Sequence, residues 1–506
     1  MNIDIEKINS NTYDSYHNPQ IDESGIILSY NDGLCVAQGL YNVMIHEIVI
    51  CDNGARGIVC DLQDESCYFF LLDNNVINAG MGVRRTKKLF SVKLSPKLMS
   101  RVIDVFGLCI DGFDDIDSQQ YNDEQYIEKE VKGITERVSV TSPINTGFLS
   151  IDSLIPIGKG QRQLLLGNRS TGKTLVALNT IINQKKNDSL CIYVAIGQKE
   201  SEIARIHNSF IESDALTNTI IISASSSQPA VLHYLAPYLG VTIAEYFVEQ
   251  YKKDVIIVYD DLTNHAIAYR EMSLLMKRSP SREAFPGDIF YLHARLLERA
   301  GNFISGGSIT ALPIAQLQED DITAYVPTNL ISITDGQLFF DGKMFNKGIL
   351  PAINTELSVS RIGGAAQHPL LNKLSRGLRL DLAQYHEFAS FAQFGSDLDE
   401  ESENKIKKGK LLIDLLKQST TVRYCVNDEI LLLYIFKHFY KKLFSFEDTT
   451  QFIEWILSYI KHTYFEFYTC ISELKQLDDE TRIKFDTIIS ESISLFTSVE
   501  NSFIIK

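Results

Sequence analysis

The C-terminal part of the sequence has no long hydrophobic run. Its longest apolar stretch near the C-terminus, "ILLLYIF" from Ile430, is cut by Lys437 and is far too short to cross a bilayer. Nor do the first residues, "MNIDIEKINSNTYDSYHN", carry the apolar core of a secretory signal. Both absences predict a soluble, cytoplasmic chain with no membrane span of its own, peripheral to a membrane only through other proteins. The eight cysteines are scattered, with no CxxC pair and no zinc-type spacing, so reduced cytosolic thiols are expected. Positive charge is in deficit: 48 Lys and Arg against 64 Asp and Glu leave a net charge of −16. That argues against a nucleic acid as main partner, because phosphate backbones demand dense Lys and Arg. Internal repeats and low-complexity tracts are missing too.

What is present describes an ordinary globular protein of several parts. The chain has 506 residues, 45% apolar and 22% charged, enough for about three domains. From about residue 25 to 92 it reads as short β-rich runs, such as "GIILSY", "MIHEIVIC" and "CYFFLLD". "DNG" at Asp52–Gly54 sits between two of them as a hairpin signal. Several short strands at this spacing predict a small barrel. Buried-strand patterns such as "CIYVAIG" and "DVIIVYDD" then alternate with helical ones to about residue 370. Beyond that only helical spacing remains, as in "DEILLLYIFKHFYKKLF". The division expected is an N-terminal extension (1–24), a β-barrel (25–93), a RecA-like α/β phosphate-loop ATPase domain (94–375) and a C-terminal helical bundle (376–506). The acidic run "DGFDDIDSQQYNDEQYIEKE", Asp111 to Glu130, is expected to be a solvated loop.

"GNRSTGKT", Gly167 to Thr174, carries the chemistry. Two glycines, a lysine and a hydroxyl stand at the spacing of a phosphate-binding loop: Gly167, Gly172, Lys173 and Thr174. Glycine lets backbone N–H groups curl around an anion, Lys173 reaches the outer phosphates, and Thr174 offers its hydroxyl to magnesium. "RQLLLG" before it reads as a strand and "KTLVALNTIINQ" after it as a helix, whose positive dipole end faces the phosphates.

Longer strings extend the match. "PINTGFLSIDSLIPIGKGQRQLLLGNRSTGKT", "YVAIGQKESEIARI", "GGSITALPIAQLQEDDITAYVPTNLISITDGQLFF", "ELSVSRIGGAAQ" and "FAQFGSDLD" closely resemble the alpha subunits of the F-type rotary ATP synthases, over residues 25 to 420 and most densely over 143 to 400. The resemblance implies a nucleotide-binding subunit that alternates with catalytic beta-type subunits in a hexamer around a gamma-like shaft, with ATP and magnesium as ligands. A membrane sector would attach through other subunits. By the same resemblance the nucleotide contacts are Gly167, Arg169, Ser170, Thr171, Gly172, Lys173, Thr174, Leu175, Gln198, Phe345, Gln418 and Thr420, with Thr174 and Asp260 on the metal side. Arg361 matches the family's arginine finger, which reaches into the neighbouring catalytic site, and Ser358 is expected in the same turn, fixing its position.

Where the catalytic subunits carry a water-orienting glutamate, this chain has Gln198, and a neutral amide accepts no proton as a carboxylate does. Glu200 and Glu202 stand too far along the chain to replace it. The chain alone is therefore expected to be essentially inactive. Asn168, Ser170 and Leu175 depart from the family's usual residues, as do Leu350 and Thr420 near the base, so base selectivity should be weak. Two further functions use the same parts. One is an F-type-derived motor uncoupled from proton transport. The other is a hexameric RNA translocase, which the acidic balance and the C-terminal helices disfavour.

Overall fold

The computed structural model describes residues 23–504 apart from 74, 115, 117–122, 188, 394–399, 420 and 445–448. Residues 1–22 of the expected N-terminal extension, Thr420 and the end of "FAQFGSDLD" thus lie outside the described residues.

Six strands close the N-terminal barrel: β1 (Ser24–Asn31), β2 (Leu34–Gln38), β3 (Glu47–Cys51), β4 (Arg56–Gln63), β5 (Ser66–Leu71) and β6 (Gly82–Leu89). They follow each other around it in the order β1-β2-β5-β4-β3-β6. The Asp52–Gly54 turn joins β3 to β4, closed by the Cys51 N–H donating to the Ala55 carbonyl at 2.8 Å. Side chains alternate along each strand, so Ile27, Ala37, Val49, Val59, Phe69 and Val83 fill the interior. Closure leaves no open sheet edge.

The central domain is a twisted sheet with helices on both faces. In spatial order its strands are Ile353–Ser360, Gly336–Phe340, Leu164–Asn168, Ser308–Leu317, Asp254–Asp260, Leu190–Gln198, Thr219–Ser225 and Val102–Ile103. All neighbours pair in parallel except Ile353–Ser360, which runs antiparallel on the edge. Such strands, covered on both faces, are near-continuous Ile, Val and Leu, which is how they read in the sequence. The helix Ala230–Tyr251 is long and apolar enough to cross a membrane by composition, yet it is almost wholly buried against this sheet as a core helix.

After Ser360 the described residues hold helices and turns but no strand. The C-terminal helices do not form a separate globule. Leu412, Leu415, Ile430 and Leu431 share one hydrophobic core with Val176 and Ile181 of the helix that follows the phosphate loop. Burying each such side chain is worth about 1.5–3 kcal/mol, so the bundle is welded to the nucleotide-binding domain.

The acidic run from Asp111 corrects an expectation. Its described ends are built into the fold. The Asp111 carboxylate is almost fully buried against Arg101, at 2.6 Å, and also accepts the Val102 N–H. Asp123–Tyr126 forms a strand antiparallel to Ser91–Leu94. Ile127 is buried, and Glu128 pairs with Arg295 at 3.1 Å. Charge density alone suggested solvent; specific Arg partners brought these carboxylates inside.

Candidate functional site

The phosphate loop connects the strand Leu164–Asn168 to the helix Lys173–Asn183. Gly167 pairs with Gln316 on one side and Phe340 on the other, and a Cβ there would sit 2.6 Å from the Phe340 carbonyl oxygen. Only glycine fits. Gly172 caps the helix at φ +95°, in the left-handed region, with open space around its α-carbon. Ser170 also has positive φ, at 63°, and Arg169 and Ser170 are exposed on the outer curve of the loop. Thr171 closes the loop by donating to the Asn168 carbonyl at 2.8 Å. The turn therefore presents its backbone N–H groups and a helix N-terminus around an open concavity, a cradle for an anion.

Lys173 is only 5% exposed. Its amine donates to the carbonyls of Gly167, at 2.7 Å, and Asn168. Burial pulls its pKa down to about 8, against the opposing charges of Asp261 and Asp260. Thr174 donates to an Asp260 carboxylate oxygen at 2.9 Å, and the Tyr193 hydroxyl donates to that same oxygen at 2.6 Å. Hydroxyl and carboxylate oxygens converging beside a phosphate cradle are the donor set magnesium prefers. Among the described residues no group of three or more His, Cys, Asp or Glu surrounds a common point. Leu175, the next residue, is partly exposed and packs outside the cradle.

Asp261 does a different job from its neighbour. It caps the helix Leu262–Leu275 by accepting the Asn264 N–H at 2.8 Å, and it accepts from Gln316. Burial and the adjacent Asp260 push its pKa up to about 7. Gln198 sits at the end of the strand Leu190–Gln198 and donates to the Asp260 carbonyl at 3.1 Å. The amide is thus tied to the Asp260 strand end as a donor. Glu200 faces Ser225 at 3.4 Å, and Glu202 pairs with Arg205 at 2.8 Å, so neither carboxylate stands in for it.

The base side is less uniform. Phe345 lies on the short helix Gly342–Asn346 and is 39% exposed. Next to it is a cavity of about 330 Å³ lined by Met344, Ile349, Pro351, Leu416 and others. Gln418, expected as a base contact, is bonded to the main chain. Its oxygen accepts the Leu149 N–H at 3.1 Å, and its amide donates to Gly147, at 2.5 Å, and Val422, at 2.9 Å. Both amide N–H groups are committed to main-chain carbonyls, so the side chain joins two domains.

Arg361 follows the edge strand. Its N–H donates to the Asp335 carbonyl at 2.8 Å, and the Asp335 carboxylate is gripped by Arg162 at 2.9 Å. Ser360 donates to the Pro156 carbonyl at 2.8 Å and accepts the Gly363 N–H at 3.1 Å. The backbone is pinned on both sides while the Arg361 side chain is exposed, with no ion pair or side-chain hydrogen bond among the described residues. Ser358 lies within the strand Ile353–Ser360 and not in the turn. Its buried hydroxyl donates to Asn354 at 2.5 Å and accepts the Phe339 N–H at 2.9 Å, bridging an irregular register. It stiffens the strand and does not touch Arg361. Sequence reading missed Tyr193, Asp335 and Arg162 altogether. Tyr193 reads as one more apolar position of a buried strand, and only the sheet brings it to Asp260.

Residues 147–360 match the ATP synthase alpha/beta family, nucleotide-binding domain, and residues 367–492 the C-terminal domain of the ATP synthase alpha/beta chain. Among curated proteins, the sodium-ion-specific ATP synthase subunit alpha of Acetobacterium woodii is 42% identical over 98% of both chains. The ATP synthase subunit alpha of Wolinella succinogenes is 43% identical over 94% of this chain and 95% of its own. The barrel, the phosphate-loop domain and the helical domain stand in the order this family uses, and the likeness runs through all three. The chain belongs to the ATP synthase alpha/beta family, as a nucleotide-binding subunit of the alpha type.

Proposed function

We propose that this subunit holds a magnesium nucleotide without hydrolysing it, and lends Arg361 to the catalytic site of a neighbouring beta-type subunit in an alternating ring. The observation that carries the first half is Gln198, an amide donating to the Asp260 carbonyl where a base would have to stand. Hydrolysis needs a group that orients water and accepts its proton, and an amide committed as donor does neither. Loop N–H groups and Lys173 bind the phosphates, and Thr174 with Asp260 would hold magnesium. Bound there, the metal would supply positive charge that neutralises the outer phosphates. The base and ribose would lie toward Phe345.

The second half is supported by Arg361. Its backbone is fixed and its guanidinium is left to solvent, the state of a group whose partner belongs to another chain. Charge that develops on the transferring phosphoryl group would be met by that cation. A gamma-like shaft within the ring, and attachment to a membrane through other subunits, complete the reading. The motor uncoupled from ion transport and the RNA translocase gain no support from the site.

Purified alone, the chain should bind magnesium–ATP and release almost no phosphate, and mixing with a beta-type partner should restore turnover. Isothermal titration with a phosphate-release assay checks both. Robust hydrolysis by the isolated, nucleotide-bound chain would overturn the assignment.

A further inference from the structure

Two buried carboxyl groups meet where the C-terminal helices dock on the nucleotide-binding domain. Asp152, on the helix Leu149–Leu154, is 5% exposed. It accepts the Thr146 N–H at 2.9 Å, the Thr146 hydroxyl at 2.8 Å and the Gly147 N–H at 3.1 Å. Glu429, in the first turn of the helix Val426–Leu443, is fully buried against it. Neither Glu429 oxygen meets a protein donor among the described residues, and no cation pairs with either carboxyl.

Two like charges out of water at contact distance repel too strongly to coexist. One proton must stay with the pair. Three donors already converge on Asp152, which makes it the better anion, so the proton resides on Glu429 and its O–H donates to Asp152. The neighbouring charges do not relieve the pair. Asp428, on the same helix turn, is neutralised by Lys461 at 2.9 Å and accepts from Tyr468. Cys425 caps that turn and faces Asp428 at 3.3 Å. Arg423 packs its stem near Gly147 but donates to Asn179 at 2.6 Å.

We propose that Glu429 and Asp152 share one proton and thereby form a pH-sensitive latch that holds the C-terminal helices onto the loop 145–149. The surrounding bonds show what the latch controls. Gln418 and the Tyr424 N–H both donate to the Gly147 carbonyl, at 2.5 and 3.0 Å. At its other end the loop is tied to the phosphate-loop helix, Gln184 donating to the Asn145 carbonyl at 2.7 Å. Losing the proton places two like, mutually repelling charges on two domains, so the docking of residues 418–430 on this loop loosens.

Burial raises both carboxyls above their ordinary range; Asp152 pushes Glu429 up further, whereas the hydrogen bonds from Glu429, Thr146 and Gly147 hold Asp152 back. A raised carboxyl contributes its full stability below the unfolded value and loses it as pH rises through the folded one. Docking should therefore weaken with rising pH, the opening constant growing up to about tenfold per pH unit while the folded pair holds the extra proton.

The test compares the full wild-type chain with Glu429→Gln and Glu429→Leu between pH 6 and 9. Thermal unfolding and amide hydrogen exchange of residues 424–430, corrected for intrinsic pH dependence, are the readouts. Glutamine donates to Asp152 with no proton to lose, and leucine removes the charge outright. Asp261 titrates in the same range in all three chains, so the difference between chains is what counts. The wild type should lose thermal stability and protection as pH rises, with both variants flatter and Glu429→Gln the most stable at pH 9. Parallel pH profiles in the wild type and whichever variants fold would overturn the latch.

Discussion

Lys173 and Arg361 are both cations that follow strands of one sheet, and the protein treats them in opposite ways. Lys173 is buried, held by two carbonyls and brought down to about pKa 8. Arg361 has its main chain fixed by Asp335 and its side chain left exposed. A cation that serves a ligand inside its own chain can be desolvated, because loop N–H groups and nearby carboxylates position it. In the role proposed for Arg361, a cation that serves a neighbour must stay reachable, and order is invested in the backbone beneath it. An amine in a dry cradle shifts readily, which is why burial tells on Lys173.

The comparison can be broken by mutation, and the largest effect should come from the exposed group. Arg361→Ala should lower turnover of the assembled ring about a thousandfold or more with assembly intact, since it acts on charge present only in the transition state. Steady-state ATPase measured beside sedimentation decides it; near-normal turnover would assign Arg361 to a surface role. Lys173→Ala should instead abolish tight nucleotide binding to the isolated chain while the ring keeps most of its turnover. If that variant silences the ring, this chain holds the catalytic site.

Removing the support beneath Arg361 should have an intermediate effect. Arg162→Ala frees the Asp335 carboxylate and should slow the ring about tenfold, because a misplaced finger loses alignment and not charge. Unchanged turnover in that variant would show that Ser360 alone suffices. A pH titration separates the two cations further. Lys173 is depressed in the folded free chain, so nucleotide affinity should decline as pH rises past about 8. The decline is at most about tenfold per pH unit and is absent in Lys173→Arg. The smallest effect concerns the base. Gln418 is spent on the main chain and Leu350 offers no donor, so ATP and GTP should bind within about tenfold of each other. A hundredfold preference would reveal a base contact elsewhere.

Much of this was legible before any coordinates. The spacing of Gly167, Gly172, Lys173 and Thr174 identifies a phosphate cradle because that chemistry is local, needing only one turn and the start of one helix. Period-two runs around Asp52–Gly54 identify a hairpin for the same reason. Gln198 was legible as an amide at a strand end, since its place follows directly from the strand before it. What misled was any residue whose partner lies far along the chain. Asp111 reads as solvated until Arg101 is folded onto it. Gln418 reads as a base contact until Leu149 and Gly147 claim it, and Ser358 as a turn residue until Phe339 pairs beside it.

The sequence by itself determined the class of ligand, the three-part architecture and the absence of a carboxylate at position 198. These rest on residue type and short spacing, which do not change on folding. Only the tertiary structure decided which polar groups remain free to act. Asp260 faces Thr174 and Tyr193 while Asp261 turns away to cap a helix, and Glu429 comes to rest on Asp152 from 277 positions along the chain. The reason is physical. A hydrogen-bonding group is spent or spared according to what packs against it, and the packing of distant segments is fixed only once the whole core closes.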